Sequence, residues 1–492
     1  MSDSNLKSKT LSGFFWRFAE RCGAQGVGFI VSLVLARLIV PKMFGVVALI
    51  TVFTNILQVF VDSGLGSALI QKKDADDLDF SSVFYFNFGM CTFLYVGMFF
   101  FAPFIDKVIY AGKYDNLTSY IRVLSLVLVI SGIKNIQQAY VSRKMIFKRF
   151  FFATLGGTIV AAIVGISLAF YLPPKYRVWA IIAQNLTNKT IDTIVLWFTV
   201  KWRPKLMFSF SRLKGLWSYG WKLLCSALID TFYNNIRQLL IGSLYSSSDL
   251  AFYNRGKQFP EIIITNTNTS IDSVLFPAMS KEQDDRERVK AMTRRSIKIS
   301  SFIIWPIMMG LSAVAEPMIT LLIGAKWLDS VLFLRIFCIT FAFWPIHTAN
   351  LNSIKALGRS DIFLKLEVLK KVVGVTLLLS TIFISVKAMA YSMLLSSVCS
   401  QLINSYPNKK LLNYSYIEQL KDIAPCVCIS VFMAAVVYLI GLININYIVL
   451  LAIQIVAGAT IYFGFSALFK IDSLNYSIEL IKKLYNKRIK HN

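Results

Sequence analysis

Apolar runs of about 20 residues recur along nearly all of this 492-residue chain, separated by short polar stretches. Such a run, coiled at about 1.5 Å per residue, matches the roughly 30 Å hydrocarbon core of a bilayer. The pattern predicts spans near 22–40, 44–64, 81–104, 119–141, 151–171, 179–200, 216–245, 250–278, 299–323, 328–354, 362–385, 388–405, 423–441 and 446–468. The fold class is therefore all-α, a polytopic membrane protein of about fourteen transmembrane helices. Composition agrees, with 56% hydrophobic and 16% charged residues and a mean hydropathy of +0.60, a balance soluble domains seldom show.

Lysine and arginine set the orientation, because cationic loops are retained on the cytoplasmic side. With the N-terminus inside, 32 of these residues fall on inner segments and 8 on outer ones, so both termini are expected in the cytoplasm. The net charge of +26 is then mostly topological. Nucleic-acid binding is the weaker reading, since the basic residues are spread over many short loops. The opening residues lack the pattern of a cleavable signal peptide. Seven cysteines, in or beside spans, read as small buried apolar residues. They lack metal-ligand spacing and His347 is isolated, so no metal or other cofactor is expected.

The two halves of the chain share a pattern. Span one leads through "LARLIVPKMFGVVAL" (35–49) into span two, which ends "DSGLGSALIQKK" (62–73); span seven leads through "LIGSLYSSSDLAFYN" (240–254) into span eight, which ends "IDSVLFPAMSK" (271–281). Six spans per half make parallel repeats about an axis normal to the membrane, an arrangement of transporters. The expected lobes are 1–205 and 206–410, followed by spans thirteen and fourteen (411–470) and a basic tail (471–492).

Five segments also carry a resemblance: "LVLARLIVPKMFGVVALITVF" (33–53), "DSGLGSALIQKKD" (62–74), "VLFPAMSK" (274–281), "LIGAKW" (322–327) and "KALGRSD" (355–361). In order and spacing they resemble the polysaccharide-transporter branch of the multidrug/oligosaccharidyl-lipid/polysaccharide exporter superfamily, nearest to Wzx-type flippases of the colanic-acid exporter kind. The similarity runs from about residue 8 to 470, with departures at Ser63 and at Ser246 to Ser248. It implies two six-helix, MATE-like lobes plus two further helices in a bacterial inner membrane. It also implies outward movement of undecaprenyl-diphosphate-linked oligosaccharide repeat units for surface polysaccharide, with membrane lipid, a polymerase and export machinery as partners.

Charges inside the spans are the candidate chemistry. A lysine or arginine at mid-bilayer costs roughly 2.5 to 3.5 kcal/mol on insertion scales, so it should face a cavity or a partner. Tyr219, Lys222, Ser226, Asp230, Tyr233 and Arg237 fall within an arc of about 80° on span seven. Span one repeats the design with Arg17, Arg21, Gln25, Gly28 and Ser32, and with Glu20 beside them. Asn185, Asn188, Lys189 and Asp192 share a face of span six. Arg255, Asn266 and Ser273 share one of span eight.

Arg21, Lys134, Lys222, Arg237, Arg255 and Lys257 are the expected contacts to a diphosphate, which suits cations in a low-dielectric cavity. Tyr219 and Tyr233 are candidates to stack on sugars. Plainer readings stand beside these. Lys257 with Glu261 and Lys189 with Asp192 can simply neutralise each other along a helix. Asp230 can pair with Lys222 or Arg237, and Arg17 lies near enough to a span end to snorkel. Lys134, Lys222, Arg237 and Arg255 lack an evident helical neighbour of opposite sign.

The chain has no G-x-x-x-x-G-K-[ST] nucleotide loop, so a proton or sodium gradient is the expected energy source. Asp230, Asp62 and Glu20 are the candidate carriers. A cation-coupled multidrug antiporter is the rival transporter, disfavoured by the excess of buried cations. A multispanning glycosyltransferase would use the D-x-D pair Asp74 and Asp76 in "KKDADDLD" (72–79), but a solvated acidic loop is the better account. An enzyme is not expected.

Overall fold

Inside a membrane every backbone N–H and C=O needs a partner within the protein, which leaves the apolar runs the helix as their way to cross. The computed structural model describes residues 3–62, 64–72 and 74–475, and the regular elements among them are helical. Two compact units divide between Ala251 and Phe252. The first holds α1 (Asp3–Leu38), α2 (Pro41–Asp62), α3 (Leu65–Gln71), α4 (Asp77–Phe104), α5 (Leu117–Leu124), α6 (Leu126–Lys144), α7 (Lys148–Tyr171), α8 (Val178–Thr199) and α9 (Phe210–Leu244). Helix α10 (Ser247–Lys281) begins there and continues into the second unit. That unit holds α11 (Arg286–Ala313), α12 (Ala315–Ile323), α13 (Ser330–Ala342), α14 (Trp344–Ala356), α15 (Ser360–Thr381), α16 (Val386–Leu411), α17 (Tyr416–Ile440) and α18 (Tyr447–Leu468).

Among the described residues, ten segments are long and apolar enough to cross a membrane. Helices α8, α9, α10 and α15 are long but are not among those ten, and they occupy expected spans six, seven, eight and eleven. Each is interrupted by charge: Lys189 and Asp192 in α8, Lys222, Asp230 and Arg237 in α9, Arg255, Lys257 and Glu261 in α10, and Glu367, Lys370 and Lys371 in α15. Three of these, α8, α9 and α10, carry polar faces marked in the sequence; α15 does not, and marked span one is among the ten.

Expected spans four, nine and ten are broken, span nine dividing at Val314 into α11 and α12. Span four divides at Ser125 into α5 and α6, with a tight Leu128 N–H to Ser125 C=O bond of 2.9 Å at the joint. Span ten divides at Phe343, ahead of Trp344 and Pro345, where proline suits the first turn of a new helix. Span two is followed by α3 after Gly64, whose φ of +93° disfavours any side chain. Gly64 lies against α9: a Cβ there would stand 2.8 Å from the carbonyl oxygen of Gly220.

In the first unit α8 packs along α7, α1 packs on α7, and α9 packs on α2 and α3. Gly45 of α2 meets the backbone of Ser247, Tyr114 donates to the carbonyl of Gly242 at 3.1 Å, and Lys113 donates to that of Ser243 at 2.8 Å. In the second unit the two C-terminal helices are fastened to the rest. Helix α17 packs on α11, and the Tyr462 hydroxyl of α18 donates to the carbonyl of Phe302 at 2.7 Å. A buried amide network joins α14, α16 and α17: Asn350 donates to Gln419 at 2.9 Å, while Asn408 donates to Asn350 at 2.7 Å. Such a network fixes register among helices that apolar packing alone would let slide.

The acidic loop at 72–79 is structural. Asp76 caps α4 by accepting from the Asp79 N–H at 2.9 Å, a bond that holds its carboxyl below the ordinary carboxylate range. Asp79 in turn pairs with Lys72 at 2.6 Å, and Asp77 accepts from the Trp202 indole at 3.0 Å. Asp76, Asp77 and Asp79 are thus engaged in caps and ion pairs, and Asp79 is buried rather than solvated as expected for this loop.

Candidate functional site

A cavity of about 400 Å³ opens within the first unit. Its wall takes Arg17 from α1, Gln58 from α2, Ser67 from α3, Lys189 from α8, and Ser131, Lys134, Asn135 and Gln138 from α6. Among the described residues three cations line it and no carboxylate does. Helix α6 builds most of it because Ser131, Lys134, Asn135, Gln138 and Ser142 recur at three- and four-residue spacing, which puts them on one face. The Asn135 amide donates to the carbonyl of Val61, a group left over at the end of α2.

Lys134 and Asp192 form a buried ion pair between α6 and α8. Lys134 thus has a partner of opposite sign on another helix, and the Asp192 carboxylate, read above as a possible neighbour of Lys189, engages α6. The partner was invisible along the helix because it lies 58 residues away. Only Oδ2 of Asp192 is engaged; Oδ1 is buried without a hydrogen bond among the described residues. Arg17 pairs with Glu20 at 2.9 Å, and its guanidinium stands 4.4 Å over the ring of Phe150. Glu20 also accepts from the Thr154 hydroxyl at 3.3 Å. Arg17 was expected to snorkel and instead reaches the cavity.

The other expected residues are distributed as follows. Arg21, Lys222 and Asp230 are exposed, and Tyr233 is half-buried. Arg237 is 8% exposed, and its Nε and Nη2 are buried without hydrogen-bond partners among the described residues. Arg255 is buried, donates to Gln258 at 2.7 Å and lies 4.9 Å over the Trp327 ring. Lys257 pairs with Glu261 at 3.1 Å, the helical neutralisation given above as its plainer reading. The side chains of Tyr219 and Asp62, the residue Ser63 and the basic tail beyond 475 lie outside the described residues.

Gln58, Ser67, Ser131, Asn135 and Gln138 were missed. The signal that would have found the α6 members is the polar period on span four, the same device read on spans one, six, seven and eight.

A multi-pass helical membrane protein with a cation-lined cavity is the class these features define. The family described as "Polysaccharide biosynthesis protein" matches residues 34–332, and the chain belongs to it. The succinoglycan biosynthesis transport protein ExoT of Rhizobium meliloti (strain 1021) is 23% identical over 63% of this chain and 62% of its own length. The lipopolysaccharide biosynthesis protein WzxC of Escherichia coli (strain K12) is 23% identical over 74% of each chain. The chain thus spans about three fifths of ExoT. Among solved structures, the lipid II flippase MurJ in an inward closed conformation superposes with a TM-score of 0.75 at 16% identity, covering 94% of this chain and 100% of that one. That likeness bears out the expected polytopic helical fold.

Proposed function

We propose that this protein is a flippase that carries undecaprenyl-diphosphate-linked oligosaccharide repeat units across the bacterial inner membrane by alternating access, for surface polysaccharide biosynthesis. The observation that carries the reading is the cavity lined by Arg17, Lys134 and Lys189 with no carboxylate on its wall among the described residues. A diphosphate offers two anionic groups, and charge-assisted bonds to them gain strength where water is scarce. Gln58, Ser67, Asn135 and Gln138 supply neutral donors and acceptors for the sugar next to it. The names of ExoT and WzxC point the same way. A drug antiporter, whose cargo is commonly cationic, fits this wall poorly. On this reading the chain is a transporter without a catalytic role, and a polymerase and export machinery act on its product.

Arg237 and Arg255 are proposed as further phosphate contacts, with Lys222, Arg21 and Lys257 as lesser ones. Asp230, Asp62 and Glu20 are kept as proposed proton or sodium carriers. Asp192 joins them, because a diphosphate drawing on Lys134 would leave its carboxylate buried and able to take a proton.

Export of surface polysaccharide in cells carrying Arg17→Gln with Lys189→Gln tests the proposal. Export should fall about tenfold or more, with membrane insertion kept, since two charge-assisted contacts are lost. Wild-type export would overturn it. The proposed orientation, with both termini cytoplasmic, is checked by cysteines placed at Ser246, Asp329 and Gln283. An impermeant thiol reagent should label the first two from outside, and labelling of the third from outside would reverse the topology.

A further inference from the structure

The turn between α17 and α18 closes a second cavity, of about 300 Å³, in the second unit. Glu316, Arg335, Tyr438, Asn444 and Tyr447 line it. Its depth in the membrane follows from the helices. Ala313, also in the wall, ends the crossing segment of α11, Tyr438 lies just before the end of α17, and Tyr447 opens α18. Arg335 sits about 7.5 Å along α13 from its first residue. The cavity therefore stands at the boundary between headgroups and acyl chains, where tyrosine is favoured for its apolar ring and polar tip.

Both signs of charge are present and do not neutralise each other. The Arg335 guanidinium lies 5.3 Å over the Tyr438 ring, and its Nε reaches the carbonyl of Ser312 at 3.4 Å. Its two terminal nitrogens have no hydrogen bond or ion pair among the described residues, and neither does the Glu316 carboxylate. Stacking on one face holds the guanidinium plane while leaving its fork open to an anion. Around the cavity Leu439, Leu442 and Ile448 are exposed apolar side chains. The site thus offers a fixed cation, a carboxylate, a volume of headgroup size and an apolar rim.

We propose that this cavity binds the headgroup of a zwitterionic aminophospholipid, its phosphate on Arg335 and its primary ammonium on Glu316, with the acyl chains along the exposed surface of α18. A primary ammonium donates three hydrogen bonds to a carboxylate, whereas a trimethylated one donates none. An anionic headgroup would satisfy Arg335 and be repelled by Glu316.

The test is native mass spectrometry of the purified full-length protein, equilibrated in detergent with equal amounts of phosphatidylethanolamine, phosphatidylcholine and phosphatidylglycerol. The wild type should retain phosphatidylethanolamine above both others, with soluble phosphoethanolamine failing to displace it. Arg335→Gln should lower its retention about tenfold, the loss of one charge-assisted contact. Glu316→Gln, at an exposed position that does not threaten folding, should make the ethanolamine and choline lipids equal. Equal retention of all three by the wild type, or no change in Glu316→Gln, overturns the proposal. Displacement by soluble phosphoethanolamine overturns it as well, because the acyl chains would then contribute nothing.

Discussion

Lys134 of α6 donates to Asp192 of α8 at the wall of the first-unit cavity, and both side chains are almost wholly withdrawn from solvent. Removing one partner of a buried pair leaves the other charge uncompensated and costs about 3–5 kcal/mol, whereas replacing both by apolar groups is often neutral. Lys134→Met should therefore lower the thermal unfolding temperature of the detergent-solubilised protein. Lys134→Met combined with Asp192→Leu should restore it without restoring polysaccharide export. Recovery of export by the double substitution would make the pair purely structural.

Arg237 poses the converse case. Its Nε and Nη2 are buried without partners among the described residues, and an unsatisfied buried donor costs roughly 1–3 kcal/mol. Arg237→Met, which keeps an unbranched apolar stem and removes the charge, is expected to raise or preserve thermal stability while export falls about tenfold. A destabilised protein with normal export would show that the guanidinium holds the fold and contributes nothing to transport.

Gly45 is where helix preference and packing oppose each other. Alanine is favoured over glycine inside a helix by about 1 kcal/mol, but a Cβ on Gly45 would lie 1.7 Å from the carbonyl oxygen of Ser247 and 2.4 Å from its carbon. The obstacle is backbone and does not rotate away, so an overpacking cost of about 1–3 kcal/mol prevails. Gly45→Ala should lower the yield of folded protein in detergent, read by gel filtration. An unchanged yield would mean that the α2–α10 contact is looser than found.

The ten crossing segments among the described residues were legible because length and hydropathy mark what can cross a bilayer. The breaks at Ser125 and Phe343 were not, since neither interrupts the apolar run that a window of hydropathy averages over. Charge in α8, α9 and α10 announced the polar helices, but pairing between helices has no signature along one chain. Lys134 looked free because Asp192 lies on another element. Arg17, set aside as a residue near a span end, reaches the cavity because α1 begins at Asp3, well ahead of the apolar run. Lys257 and Glu261, four residues apart, were readable by spacing and do pair.

If the cations of the first-unit cavity hold a diphosphate, lipid binding will reveal it. In native mass spectrometry, undecaprenyl diphosphate and undecaprenyl monophosphate would compete for the wild type and for the protein carrying Arg17→Gln and Lys189→Gln. The wild type should prefer the diphosphate about tenfold or more, and the double substitution should remove the preference while leaving binding through the shared polyprenyl tail. Equal binding of the two lipids by the wild type, or an undiminished preference in the substituted protein, would contradict it.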